Sequence, residues 1–136
     1  MEKHFHNPLE LPNWEQAFSQ IVTVSSGSIK TIYLSGQVAM DQHNRLIGEG
    51  DLSKQATQAF QNLAKALVSI GATTQDVVKI TIYVKDYQLA DASHVSEAFR
   101  NVFPHKNLPA STWLGVQALA LDGLLIEIDA VAVMAI

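Results

Sequence analysis

The chain has no cysteine, and this absence excludes several kinds of site. Without a thiol there is no disulfide, no cysteine–metal site and no cysteine nucleophile. The five histidines do not have the spacing of a zinc site, so we expect no metal and no other cofactor. The N-terminus also lacks the apolar segment of a secretory signal, and together these absences predict a cytoplasmic protein.

Positive charge is scarce as well. Nine Lys and Arg residues stand against thirteen Asp and Glu, which gives a net charge of −4. The basic residues are scattered and form no patch that could neutralise a phosphate backbone, so we expect no nucleic-acid partner. Apolar runs such as Val131–Ile136 are much shorter than the roughly 20 residues that a membrane span needs, so we expect no membrane partner.

The residues that are present predict one domain. At 136 residues, 48% of them hydrophobic, the chain is long enough to bury its own core. No repeat or linker divides it, so we treat 1–136 as a single domain. Residues 1–16 are expected to form an irregular N-terminal arm. Phe18–Val24 and Thr31–Met40 follow as the paired strands of a hairpin, joined by a turn over Ser25–Lys30.

Two helices and three more strands are predicted after the hairpin. Asp51 is the expected N-cap of the first helix, whose apolar residues recur at helical spacing until Gly71. Pro104 ends the second helix. The remaining elements are a strand over 77–84, a helix over 88–103, and strands over 110–118 and 124–133. The order ββαβαββ predicts an α+β protein, with a mixed sheet and two helices packed on one face.

Alternation inside the strands separates two faces of this sheet. One face is apolar or small, and two helices can cover it. Its predicted members are Ile32, Leu34, Gly36, Val38, Val78, Ile80, Ile82, Val84, Thr112, Leu114, Val116, Ile126, Ile128, Ala130 and Ala132. The opposite face is predicted to carry Tyr33, Ser35, Gln37, Lys79, Thr81, Tyr83, Ser111, Trp113, Gly115, Gln117, Leu125, Glu127, Asp129 and Val131. That mixture of rings, amides, hydroxyls and carboxylates indicates a subunit interface with a pocket in it, and a solvated outer face is the alternative.

Five segments in order carry a resemblance to a known family. They are YLSGQV, the helix with Gln55, Gln58 and Asn62, the stretch GATTQDVVKITIYVKD, the pair Pro109-Ala110, and IEIDAVAV. The ordered set resembles the RidA (YjgF) family of enamine/imine deaminases from Phe18 to Val133. The resemblance implies a chorismate-mutase-like fold. It also implies a homotrimer whose sheets form a central barrel, with a small-molecule cleft at each of three interfaces. Some relatives have been labelled endoribonucleases, an activity that the scattered positive charge disfavours.

The resemblance also assigns site residues. Ser35-Gly36 matches the family's backbone and hydroxyl region, and Glu127 matches the catalytic glutamate that positions a water. Phe18 stands at a tyrosine position and Trp113 at a position that is usually cysteine. Ser111 stands where the family has an arginine that grips the substrate carboxylate. A serine hydroxyl cannot reproduce the two charge-assisted bonds of a guanidinium. Losing such a pair costs about 2–5 kcal/mol, so we expect a neutral or aromatic ligand.

Several interpretations stay open at this point. Glu127 is either a general acid/base or a structural glutamate, bonded to backbone or to Lys79 across the trimer. Trp113 either packs at the interface or stacks on a ligand, while Ser35 fits a pocket floor better than a nucleophile. The missing cation could be replaced by Arg45, Arg100 or Lys106. The function is therefore hydrolysis of a C=N or enamine metabolite, or else ligand binding or chaperone-like action by a non-catalytic trimer.

Overall fold

The computed structural model describes all 136 residues and contains one six-stranded sheet with two α-helices. In chain order the elements are β1 Glu2–His6, β2 Ile21–Ser26, β3 Ile29–Val38, α1 Leu52–Ser69, β4 Val77–Lys85, α2 Ala92–Val102, β5 Ala110–Val116 and β6 Ile126–Ala135. The strand order in the sheet is β1-β2-β3-β6-β4-β5. Only the β4–β5 pair is parallel, so the predicted mixed α+β sheet is confirmed.

Both helices pack on one face of the sheet through a single hydrophobic core. The Asp51 side chain caps α1 by accepting a hydrogen bond from the Lys54 backbone N–H, as the sequence predicts. Gly71, with φ of 81°, follows the end of α1 in the left-handed conformation that glycine adopts without strain. The Phe60 ring of α1 meets the Phe99 ring of α2 edge to face at 5.8 Å. The core therefore joins the two helices to each other as well as to the sheet.

The N-terminal arm is more regular than predicted. Glu2–His6 forms strand β1, which pairs antiparallel with β2 from Glu2 opposite Ser25 to His6 opposite Ile21. The prediction of an irregular arm is wrong for these five residues, because an edge strand held by backbone hydrogen bonds needs no apolar alternation. Charged and polar side chains are typical of such edges, where they discourage pairing with another sheet.

A bulge in β3 corrects the predicted faces of Gly36, Gln37 and Val38. Leu34 lies opposite Ala130 and Gln37 lies opposite Ile128, so two residues of β3 stand against the single Asp129 of β6. The extra residue shifts the alternation by one. Gln37 therefore lies on the helix side, where it is only 1% exposed, and Gly36 and Val38 lie on the other side. A second irregularity in β4 buries Val77 and exposes Val78, the reverse of the prediction.

The predicted faces of β5 are also wrong. Ser111 is paired with Ile80 and Trp113 with Ile82, and both isoleucines lie in the core beneath the helices. Ser111, Trp113 and Gly115 thus share the helix side. Thr112 lies on the opposite side, where its hydroxyl accepts a 2.7 Å hydrogen bond from the Lys79 ammonium. Most residues of this edge strand are exposed, Leu114 among them, so hydropathy gave no reliable indication of face.

The face away from the helices, called here the open face, is covered at its Val38 end by Trp14 and Leu124 and has little cover elsewhere within the chain. Its members lie on the neighbouring strands β3, β6, β4 and β5, and they include Tyr33, Val38, Lys79, Thr81, Tyr83, Thr112, Leu114, Glu127, Asp129 and Val131. Tyr33 is 49% exposed and Leu114 is 45% exposed. An exposed face with rings and aliphatic chains beside hydroxyls and carboxylates has the composition of a protein interface.

Candidate active site

The β3 bulge aims backbone and side chains at one end of the open face. The Ser35 hydroxyl donates to the Ser19 carbonyl oxygen at 2.6 Å, and the Ser35 backbone N–H donates to the Gln20 carbonyl oxygen at 2.9 Å. The hydroxyl proton of Ser35 is therefore engaged in holding the preceding segment against β3. This arrangement fits a residue of the pocket floor and shows no base beside the hydroxyl that could activate a nucleophile.

Buried amides fix the bulge from the helix side. The Gln37 side-chain amide donates to the Gln20 side-chain oxygen and to the Ser35 carbonyl oxygen, both at 2.9 Å. Gln20 in turn donates to the Pro12 carbonyl oxygen at 2.9 Å. Because these amides are buried, an unmade bond would cost free energy, so the network holds the bulge in one conformation.

Two polar residues of α1 bind the end of β3 and the loop that leads into β6, in the same region as the bulge. The Asn62 amide donates to the carbonyl oxygens of Val38 and Met40, both at 2.9 Å, where β3 ends. The Gln55 amide donates to the Gly123 carbonyl oxygen at 2.9 Å, in the loop that leads into β6. Both residues are buried in a helix face that is otherwise apolar. Their role is thus to position two loops around a site rather than to touch a ligand.

Between the end of β3 and the loop before β6 lies a cleft of about 260 Å³. It is lined by Trp14, Ala17, Phe18, Gly36, Val38, Ala120, Leu121, Leu124 and Glu127. Trp14 and Phe18 form one wall, with their rings nearly parallel and their centroids 6.3 Å apart. Glu127 is the only ionisable side chain in this lining, and the other residues are apolar or glycine. The size and lining suit a small molecule with little charge.

Glu127 is placed against the bulge by the absence of a side chain at Gly36. A Cβ atom built on Gly36 would lie 2.5 Å from Glu127 Oε2, so only glycine leaves room for the carboxylate. Glu127 forms no ion pair within the chain. Burial, followed by the charge of neighbouring Asp129, raises the pKa of Glu127 above the ordinary glutamate value. A carboxyl group of this kind exchanges its proton closer to neutral pH, which suits general acid/base chemistry.

The structure brings together three of the residues assigned by the sequence and leaves the others apart. Phe18, Gly36 and Glu127 line the cleft, and Ser35 lies next to Gly36 in the bulge. Ser111 and Trp113 are outside it, on the helix side of β5. The Trp113 ring packs edge to face on Tyr87 with the centroids 6.5 Å apart, and Ser111 is exposed.

Sequence reasoning missed most of the apolar wall. Trp14 and Leu121 lie in segments without regular alternation, and Leu124 begins the strand predicted over 124–133, so no period marked these three as cleft residues. The spacing of Trp14 and Phe18, four residues apart, is the one signal that could have paired the two rings. None of the three alternative cations lines the cleft.

Arg45 and Arg100 have partners elsewhere, and Lys106 lies away from the cleft. The Arg45 side chain forms a 2.9 Å ion pair with Asp41, and the Arg100 guanidinium donates to the His105 carbonyl oxygen at 3.2 Å. Lys106 is exposed beyond the end of α2. Within one chain, therefore, no basic side chain faces Glu127 in the cleft.

Comparison with known proteins decides the family. The family model described as Endoribonuclease L-PSP matches residues 10–134. A 2-iminobutanoate/2-iminopropanoate deaminase of Rattus norvegicus is 38% identical over 117 residues, which are 86% of this chain and 80% of the rat protein. The chain belongs to the RidA (YjgF) family. The resemblance drawn from its motifs is thereby confirmed.

Solved structures of Rid proteins share this architecture. The Rid protein YyfB of Yersinia pestis is 35% identical, with a TM-score of 0.75 and coverage of 98% of this chain and 100% of that one. RidA of the Antarctic bacterium Psychrobacter sp. PAMC 21119 is 26% identical, with a TM-score of 0.80 and coverage of 96% and 99%. Neither helix of the present chain combines the length and apolar character that crossing a membrane requires.

Proposed function

We propose that this Rid protein is a homotrimeric hydrolase that converts the C=N bond of a small imine or enamine to a carbonyl. The observation that carries the proposal is the apolar cleft in which Glu127, with its raised pKa, lies against Gly36. Relatives named as imine deaminases support the reaction class. The predicted cytoplasmic location and the expectation of no nucleic-acid partner belong to the same proposal.

Glu127 would handle the proton in this reaction. The oxygen of a water bonds to the imine carbon while the Glu127 carboxylate takes the water proton. Glu127 then gives that proton to the nitrogen, which forms a carbinolamine. The Glu127 carboxylate next takes the remaining hydroxyl proton and gives it to the nitrogen, so the C–N bond breaks as the C=O bond forms and ammonia leaves. No electron is gained or lost overall, so the step needs no cofactor. A carboxyl group whose pKa is raised by burial both accepts and returns a proton readily, which general acid/base catalysis requires.

The ligand that fits this cleft is neutral or aromatic. Trp14 and Phe18 offer ring surface, and no cation in the lining would neutralise a carboxylate. A carboxylated imine would instead meet the negative charge of Glu127. Ser111, at the position of the family's arginine, has no positive charge either. Loss of a guanidinium–carboxylate pair weakens binding by about thirtyfold to a few thousandfold.

The trimer would complete the cleft from a second subunit. Within one chain Ser111 is exposed on edge strand β5, outside the cleft that holds Phe18. The uncovered open face and the free edge of β5 support an assembly in which β5 of one subunit borders the cleft of the next. The alternative of a solvated outer face predicts a monomer.

The cysteine-free sequence permits a direct test of this assembly. Ser111→Cys combined with Phe18→Cys should give disulfide-linked dimers and trimers under mild oxidation, since in the proposed trimer the two positions meet only between subunits. Each single-cysteine variant is the matched control and should form no such series of disulfide-linked dimers and trimers. Light scattering of the unmodified protein should give the mass of three chains, and a stable monomer at micromolar concentration would contradict the trimer.

The hydrolase proposal is tested with imines generated in the assay mixture. An amine oxidase supplies neutral imines and an amino acid oxidase supplies carboxylated ones, and ammonia release is measured above the spontaneous rate. Glu127→Gln should lower turnover of neutral imines by about 10²–10⁴-fold while the trimer persists. Glu97→Gln, an exposed residue of α2, is the control and should have no effect. Equal rates in wild type and Glu127→Gln would overturn the proposal.

A non-catalytic binder is the second candidate function. It is favoured by Phe18, whose ring lines the cleft without the hydroxyl found at the family's tyrosine position. A binder would retain an apolar ligand in the cleft and would accelerate hydrolysis of neither class of imine. Calorimetry with the same neutral compounds separates the two functions, since binding without turnover supports only this one. Endoribonuclease action remains disfavoured by the net charge of −4.

A further inference from the structure

A second carboxylate and a phenol lie directly beside Glu127. Asp129 is two residues along β6, so both carboxylates point to the open face. On the adjacent strand, Tyr83 is the register partner of Glu127. The Tyr83 hydroxyl does not bond to Glu127 but leans along the sheet and donates to Asp129 Oδ2 at 3.0 Å. The phenol thus holds one carboxylate of the pair and leaves the other free at the cleft.

We propose that Tyr83 and Asp129 are positioning residues for Glu127: the phenol fixes the Asp129 carboxylate beside Glu127, and that fixed negative charge strengthens the hold of Glu127 on its transferred proton. The inference rests on the proposed catalytic use of Glu127. It assigns roles to two residues that do not line the cleft themselves. Neither residue would touch the substrate, and both would act through Glu127.

Among the groups that surround Glu127, Asp129 is the one whose charge acts on the Glu127 carboxyl group. From β3, Gly36 and Val38 face it, and the residues of segments 14–18 and 120–124 that line the cleft are not ionisable. Glu15 and Asp122, in the same two segments, are exposed and do not line the cleft. On β4, Lys79 and Lys85 share the face of Tyr83, but the Lys79 ammonium is bonded to the Thr112 hydroxyl at 2.7 Å. Accordingly, burial and then Asp129 raise the pKa of Glu127, and no cation opposes them.

Tyr83 remains a donor throughout the working range of the enzyme. Its hydrogen bond to Asp129, then burial, raises the pKa of the phenol above its ordinary value. The phenol therefore keeps its proton and holds the Asp129 carboxylate in one place beside Glu127.

Carboxyl carbon NMR of ¹³C-labelled protein tests this coupling without any substrate, through the midpoint of the Glu127 titration. Asp129→Asn should move the Glu127 midpoint to lower pH, because the neighbouring charge is gone. Tyr83→Phe should move the Glu127 midpoint in the same direction but by less, because the Asp129 carboxylate is no longer held beside Glu127. Tyr33→Phe is the matched control, an open-face tyrosine without a side-chain hydrogen bond, and should not move the Glu127 midpoint.

The activity profile gives a second readout that a merely structural role would not move. In Asp129→Asn, the acid limb of the pH–rate profile for imine hydrolysis should shift to lower pH. Turnover at pH 7 should fall by roughly three- to tenfold, because Glu127 is then a weaker base.

A Glu127 midpoint unchanged by Asp129→Asn would overturn the inference, even if Glu127→Gln abolishes hydrolysis. If the midpoints shift as expected but Glu127→Gln stays active, the proposed function fails and the electrostatic coupling stands. Should Asp129→Asn not fold, the titration of Glu127 in Tyr83→Phe decides.

Discussion

The bulged end of β3 and the edge strand β5 carry the two halves of the family's site, and they are built differently. At the bulge, the Ser35 hydroxyl donates to the Ser19 carbonyl oxygen, and the Ser35 carbonyl oxygen accepts a hydrogen bond from the buried Gln37 amide. On β5, Ser111 is exposed and lies at the free edge of the sheet. In the proposed function, the half that handles the water is thus formed within one chain, whereas the half that contacts the ligand's polar group depends on the proposed trimer.

This difference explains how the site could change substrate without losing its chemistry. Substitution at Gly36 or Glu127 disturbs a packed arrangement in which the two residues are in contact. Substitution at Ser111 changes an exposed position that supports no core contact in its own chain. Under the proposed function, specificity can therefore vary at β5 while Gly36 and Glu127 are retained, in line with the general rule that function is placed on mobile or exposed positions of a rigid scaffold.

The largest expected effect comes from adding one methyl group at the bulge. Gly36→Ala puts a Cβ atom 2.5 Å from Glu127 Oε2, so the carboxylate must leave its position. We expect turnover of neutral imines to fall about 100-fold, a loss comparable to misplacing a catalytic group by about 1 Å. Steady-state kinetics with the oxidase-coupled ammonia assay measures this change.

Gly115→Ala on β5 is the matched substitution in the other region. Its added Cβ meets Tyr87 Cβ at 3.0 Å on the helix side, away from the cleft. We expect a lower melting temperature, with a stability cost of about 1 kcal/mol from the tight contact, and little change in the assembled enzyme's turnover. Equal loss of turnover in both alanine variants would show that the contrast between the two regions is wrong.

Particular residues show what the sequence could predict and what it could not. Alternation located the buried residues of β4 and β6, such as Ile80 and Ile128, because burial on one face imposes a period of two. The same argument failed after Leu34, because a bulge adds a residue without any change in composition. It failed on β5 as well, because an exposed edge strand buries too little surface to enforce a pattern.

The residues of the candidate site also fall into some that the sequence could predict and others that it could not. Gly36 and Glu127 were found through motifs, and their contact in the structure gives those motifs a physical reason. Trp14 was missed because its position depends on long-range packing of an irregular segment against β3. No local period encodes such a contact, so only the tertiary structure could reveal the aromatic wall.

A smaller effect is expected when a cation is restored on β5. Ser111→Arg with Trp113→Cys should raise kcat/KM for carboxylated imines by about 30-fold over wild type, the lower end of the value of a guanidinium–carboxylate pair. Ser111→Arg alone should gain less, because the Trp113 ring occupies space beside it on the helix side of the strand. The matched control is Ser111→Gln, a long polar side chain without charge. A gain in this control equal to that in the double variant would show that charge at Ser111 does not set specificity.

The smallest expected effect is on stability, and its sign follows from the pKa of Glu127. Because burial raises this pKa in the folded state, the folded protein holds the proton more tightly than the unfolded chain. Ionised Glu127 therefore opposes folding, with a penalty that is absent below the unfolded pKa and grows as pH rises through the folded value. Glu127→Gln should melt at a higher temperature than wild type at pH 7 to 8, and the difference should vanish near pH 4.

Glu97→Gln, at an exposed position of α2, is the control, and its melting temperature should show no such trend relative to wild type. Thermal unfolding of all three proteins across this range, at one trimer concentration, measures it. A Glu127→Gln variant that melts lower than wild type at every pH would show that the carboxylate makes a stabilising bond in the assembly, and Glu127 would then be a structural residue.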